Sequence, residues 1–167
     1  MKKHSQKQAA FTLVEMLVVI VIIGMLAGLL FPAVGAAIRT AKRTKAKTEV
    51  TNLVIAFGAY YTEFGYWPTN QEASFQICTN TFANSKGILF YDFTLKDVDL
   101  KTGFYQDPWK HAYWFRVDST YNNSIPSPFA DAAQPAGVLV WSMGPDEAAN
   151  LSKKKTDAVN RYVITSW

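Results

Sequence analysis

The chain has 167 residues, 49% hydrophobic and 14% aromatic, which is too apolar for a disordered segment and long enough for one domain of ordinary size. Its formal charge of +4 is unevenly placed: residues 1–48 hold eight basic groups against one acid, Glu15, whereas residues 49–167 hold nine against twelve. The basicity therefore does not describe the C-terminal domain and is poor support for nucleic-acid binding, and the single cysteine, Cys78, excludes an internal disulfide framework and a multi-cysteine zinc site.

A short leader carries Lys2, Lys3 and Lys7, and residues 16–38 then form a run of 23 with no charged or hydrogen-bonding side chain. At 1.5 Å per residue, about 20 such residues cross a hydrocarbon layer roughly 30 Å thick, so the run is long enough to span a membrane. Both flanks are basic, since Arg39, Lys42, Arg43, Lys45 and Lys47 follow it. Basic flanks on both sides leave the positive-inside rule undecided, but a first span behind a short basic leader usually leaves its N-terminus in the cytoplasm, which would put the rest of the chain outside the cytoplasmic membrane. Three origins compete for the run. A secretory signal peptide has a cleavage candidate at Val34-Gly35-Ala36, but its apolar region is shorter than this one. A plain anchor needs only the length. Glu15 suggests a more specific device, because an ionisable group within a spanning helix costs about 2–3 kcal/mol and usually has a functional partner. Pro32 removes one backbone donor and loosens the helix, with Gly28 and Gly35 nearby, although membrane helices also tolerate proline without a special role.

Beyond the apolar run, Val50, Leu53, Val54, Phe57, Tyr60, Tyr61 and Phe64 fall on one helical face, and Thr48, Glu49, Asn52 and Thr62 fall on the other. Gly65 is a stop signal and Pro68 prevents continuation, so the spacing predicts one helix over residues 11–64. The basic stretch between the two halves reads as solvated or at headgroup level. Residues 70–86 are polar and without pattern, a surface connection or a short irregular helix. Residues 88–93 form an apolar-aromatic run of strand length. Asp107-Pro108-Trp109 marks a turn, residues 113–117, Val138–Ser142 and residues 162–166 read as strands, and residues 121–137 read as a loop. A small antiparallel sheet packed on the amphipathic half-helix follows, an α+β fold. The organisation is then a leader (1–10), a hydrophobic transmembrane and assembly helix (11–38), its amphipathic continuation (39–65) and a globular β domain (66–167).

The segment Ala9-Ala10-Phe11-Thr12-Leu13-Val14-Glu15 resembles the cleavage and methylation site of type IV prepilins and type II secretion pseudopilins. The resemblance implies cleavage between Ala10 and Phe11, methylation of the new Phe11 amine, and assembly through Glu15; Ala10 stands where the family usually has Gly. Pro32 sits where these helices carry a loosening proline. A Phe11 ammonium paired with Glu15 of a neighbouring subunit would offset the cost of two charges in a low-dielectric layer and so favour lateral assembly. Tyr60-Tyr61-Thr62-Glu63-Phe64-Gly65-Tyr66-Trp67-Pro68-Thr69 resembles the family's helix exit. Asp107-Pro108-Trp109 resembles the Asp-Pro-Trp-Gly segment of major pseudopilins, with Lys110 in place of Gly, and Ser142-Met143-Gly144-Pro145-Asp146 resembles their C-terminal loop.

In that family the loop commonly holds calcium, which would assign ligands to Asp146, Asp157 and Asn150, with Glu147 a further candidate. Lys153, Lys154 and Lys155 oppose a cation there, and a loop without metal is the alternative. No catalytic constellation is evident: His4 lies in the leader, His111 has no adjacent nucleophile motif, and Cys78 has no reactive signature. The resemblance implies a non-enzymatic subunit of a periplasmic pseudopilus, homopolymeric through its N-terminal helices and processed by a prepilin peptidase and methyltransferase. Its further partners would be minor pseudopilins and an inner-membrane platform, with no nucleic acid. A type IV or competence pilin and a singly anchored periplasmic binding domain are the alternatives.

Overall fold

Helix α1 runs from Leu13 to Phe64, 52 residues, in the computed structural model of the chain, which describes residues 12–69, 74–145, 150–157, 160 and 162–167. It continues through Pro32 and ends where sequence chemistry places the stop: Gly65 takes φ +74°, a conformation that costs a residue without a Cβ least, and its N–H bonds Tyr61 O at 2.8 Å. The chain divides into two compact units, Met1–Thr40 and Ala41–Trp167. In the first, the apolar side chains of α1 have no cover: Leu13 is 81% exposed, and Leu29 and Phe31 are each 77% exposed. One 18-residue window of the helix has a mean hydropathy of 2.9. Exposed apolar surface of this extent requires lipid or neighbouring helices around it.

In the second unit, Ala46, Val50, Leu53, Ala56, Phe57 and Tyr60 of α1 are buried at helical spacing. They pack on a four-stranded sheet of β1 (Phe75–Gln76), β2 (Trp114–Val117), β3 (Val138–Ser142) and β4 (Ile164–Thr165), which lie in the order β1-β2-β3-β4 with every pair antiparallel. The register Phe115↔Val140 and Val117↔Val138 turns these four side chains toward the helix. Phe57 sits among them, its ring centroid 4.7 Å from those of both Phe115 and Phe82. The alternate residues Leu139 and Trp141 face a second core with Ile125 and Phe129. Burial on both faces explains why β3 is apolar from Val138 to Trp141 rather than alternating.

Four expectations need correction. Residues 88–93 are in no described strand: Phe90, Tyr91 and Phe93 dock against the aromatic core from irregular backbone while Leu89 is 75% exposed, so side-chain packing replaces a ladder. The polar segment 70–86 instead supplies β1, two residues paired with Phe115 and Trp114. The last strand is only Ile164–Thr165. Glu49, placed on the solvent side by helical spacing, is buried, because two tyrosine hydroxyls of the sheet side supply it with donors.

Candidate processing and assembly site

Ala10 and Phe11, the expected cleavage junction, lie outside the described residues. Just beyond the junction, Thr12 and Glu15 form a reciprocal cap. Glu15 Oε2 accepts from Thr12 N at 2.8 Å and from Thr12 Oγ1 at 2.6 Å, and Glu15 N–H donates to Thr12 Oγ1 at 3.2 Å. This is a capping box: it satisfies orphan donors at the start of α1 and sets a carboxylate at the positive end of the helix dipole. The Thr-x-x-Glu spacing was available in the sequence as a helix-start signal. Glu15 therefore has a local role in organising the helix start in addition to any role in assembly. Pro32 lies inside α1, where its missing N–H leaves the Gly28 carbonyl without its usual intrahelical donor.

In the second unit, one buried carboxylate joins the two C-terminal motifs. Asp107, 1% exposed, accepts from Trp109 N (2.9 Å) and His111 N (3.0 Å) through Oδ1, which builds the turn. Its Oδ2 accepts from the Ser142 hydroxyl at 2.5 Å, and that hydroxyl accepts from Gly144 N at 3.0 Å. His111 Nδ1 lies 2.8 Å from Gly144 O, so the imidazole is engaged in holding this junction. Lys110, where the resembling segment has Gly, takes φ +75°, a left-handed conformation that costs a non-glycine residue about 1–2 kcal/mol. Its ammonium donates to Lys96 O at 3.0 Å and lies 3.7 Å from Asp97.

A second network fixes the amphipathic half of α1. Glu49 accepts from Tyr105 OH at 3.0 Å and Tyr113 OH at 2.5 Å, and Lys45, one turn earlier, pairs with Asp97 at 2.8 Å. Burial pushes the Tyr105 phenol up, reinforced by its bonds to Tyr91 and Glu49; burial and the Glu49 bond do the same for Tyr113. Both tyrosines are held neutral as donors. Sequence reasoning passed over this network because no helical or strand periodicity encodes a polar contact across 56 or 64 positions.

Of the expected calcium ligands, Asp146 and the further candidate Glu147 lie outside the described residues, and Asn150 and Asp157 are described. Asn150 Oδ1 accepts from Ser152 N at 2.9 Å. The main-chain carbonyls of Asn150, Lys153 and Lys154 converge on the amide nitrogen of Asn160, at 3.0, 3.2 and 2.9 Å. Among the described residues no group of three or more His, Cys, Asp or Glu side chains is placed to hold a metal ion. The described oxygens thus surround a hydrogen-bond donor, and they do not fit a calcium ion at that point.

Residues 5–31 match the family model of the prokaryotic N-terminal methylation motif. No curated protein and no solved structure matches the chain. The motif contains Ala10, Phe11 and Glu15 and implies processing by a prepilin peptidase and association with a membrane. The motif heads a helix with a span-length apolar run, followed by an α+β unit built on the helix's other half, an arrangement that supports a type IV pilin-like protein.

Proposed function

We propose that the chain is a structural, non-catalytic subunit of a periplasmic pseudopilus that drives type II protein secretion. The precursor sits in the inner membrane with its leader cytoplasmic and its C-terminal unit periplasmic. It is cut between Ala10 and Phe11, methylated at Phe11, and polymerises through its N-terminal helices on an assembly platform with minor pseudopilins. The observation that carries this proposal is the methylation motif over residues 5–31, set at the head of a helix whose large apolar side chains between Leu13 and Ile38 are exposed. The pairing of the two resembling segments through Asp107 and Ser142 supports the pseudopilin assignment over other pilin-like assemblies.

The decisive experiment is mass spectrometry of the mature N-terminus from the native host, coupled to a secretion assay in a strain lacking the gene. Methylated Phe11 with loss of secreted enzymes supports the proposal. Methylated Phe11 with intact secretion and loss of surface pili makes the chain a pilin of another assembly. An unprocessed Met1 makes it a plain anchor.

A further inference from the structure

Among the described residues of the loop between β3 and β4, those from Asn150 to Lys154 are organised around a side chain of the chain itself. Asn160 is 1% exposed, and its amide makes four hydrogen bonds, all to one five-residue stretch. Its Oδ1 accepts from Asn150 N at 2.8 Å, and its Nδ2 faces the carbonyls of Asn150, Lys153 and Lys154. The orientation of the amide is fixed by chemistry: carbonyl oxygens only accept and a backbone N–H only donates, so a flipped amide would oppose all four groups. Tight turns wind the backbone about this point, with Lys153 N bonding Asn150 O at 3.0 Å, Asp157 N bonding Lys154 O at 3.0 Å, and Asn160 N bonding Asp157 O at 2.9 Å.

Several carbonyl oxygens turned inward on one centre is the arrangement by which a peptide loop commonly holds a hard cation, with oxygens at about 2.3–2.6 Å. Here the oxygens stand farther out and the centre holds nitrogen. The partial positive charge of an NH2 group does the work that a divalent ion would do, without importing two full charges beside Lys153, Lys154 and Lys155.

We propose that Asn160 is a built-in substitute for a divalent cation, so that residues 150–157 wind about it without calcium. The consequence is that the fold of residues 150–157 about Asn160 is insensitive to the calcium concentration around it. This inference concerns the loop alone, and failure of the secretion assignment would leave it standing.

The test uses the full chain purified in detergent, with thermal unfolding followed by tryptophan fluorescence in EDTA and in calcium chloride. At about 5 mM calcium, above the range in which extracellular sites saturate, the wild-type midpoint should stay within about 1 °C of its value in EDTA. Asn160→Ala removes all four bonds and should lower the midpoint by about 5–10 °C in both conditions. Asn160→Asp keeps the shape but turns an oxygen toward three carbonyls, and it should lose at least as much in EDTA. A wild-type midpoint that rises by more than about 3 °C with calcium overturns the proposal, as does an Asn160→Ala midpoint within about 1 °C of wild type. Should the variants not fold, calorimetric titration of the wild-type chain with calcium chloride decides alone. Absence of saturable binding supports the proposal, and one ion bound per chain refutes it.

Discussion

Replacing Glu49 by Ala tests whether a single buried carboxylate clamps the amphipathic half of α1 to the sheet. Glu49 receives two hydroxyl hydrogen bonds, from Tyr105 at 3.0 Å and Tyr113 at 2.5 Å. A hydrogen bond to a charged group contributes about 1.5–3 kcal/mol, so the pair is worth roughly 3–6 kcal/mol gross. Tyr105 retains a second partner, since its hydroxyl lies 3.2 Å from that of Tyr91, whereas Tyr113 is fully buried. Relief of the desolvated carboxylate offsets part of the loss. The net cost should be about 3 kcal/mol, and at about 3–5 °C per kcal/mol for a domain of this size the midpoint should fall by about 10–15 °C. Near-UV circular dichroism of the full chain in detergent reads this directly, because the affected tyrosines belong to the aromatic cluster. Tyr113→Phe removes one donor and its unmet need, so Glu49→Ala combined with Tyr113→Phe should cost at least about 1 kcal/mol less than the two single effects added. A shift below about 3 °C for Glu49→Ala, or strict additivity in the double variant, would refute the clamp.

The Lys45–Asp97 pair makes stability fall at both ends of the pH scale. Burial raises the Asp97 pKa, but the Lys45 hydrogen bond and the charges of Lys45, Lys110 and Lys96 outweigh it and hold the carboxyl below its ordinary 3.8. A folded pKa below the unfolded one gives stability that is present above that ordinary value and lost as pH falls through the folded value. Lys45 is raised above 10.5, chiefly by the hydrogen bond to Asp97, so its contribution is complete below 10.5 and lost as pH rises through the folded value. Melting temperature against pH should be flat between about 5 and 9 and fall on either side, and Asp97→Asn should shrink both limbs; unchanged limbs would remove the pair from the account. Gly144→Ala places a Cβ 2.3 Å from Tyr162 O at a φ of +77°, and should destabilise the second unit by about 3 kcal/mol or more in chemical denaturation; a loss under about 1 kcal/mol contradicts the packing. Glu15→Gln keeps an oxygen for Thr12 but drops the charge, so membrane insertion and helix content should persist while filaments disappear from electron micrographs. Thr12→Ala, which keeps the charge, should weaken only the helix cap, by about 1 kcal/mol.

Legibility in the sequence followed the range of the interactions. The long helix and its stop at Gly65 were readable because apolar periodicity and a left-handed stop residue act within a few positions of themselves. Val138–Ser142 was readable because a strand covered on both faces carries consecutive apolar residues, here Val138 to Trp141. The 88–93 run deceived for a related reason: aromatic side chains can dock from irregular backbone, and composition records burial but not hydrogen-bond partners. β1 was invisible because two residues carry no period, and it exists only through pairing with Phe115 and Trp114. The Thr12–Glu15 cap was encoded locally and stayed hidden behind the more conspicuous assembly role of Glu15.

By itself the sequence determined the processing signal, the span-length apolar run, the helix and the α+β class, since each depends on residues adjacent in the chain or on one helical repeat. Only the tertiary structure decided where the polar side chains act. Glu49 leaves the solvent side to hold two tyrosines, Asp107 binds the Asp-Pro-Trp turn to the end of β3, and Asn160 gathers the carbonyls of Asn150, Lys153 and Lys154. These are contacts between residues distant in the chain or inside an irregular loop. Their energies depend on burial and donor–acceptor geometry, and neither exists until the chain has closed on itself.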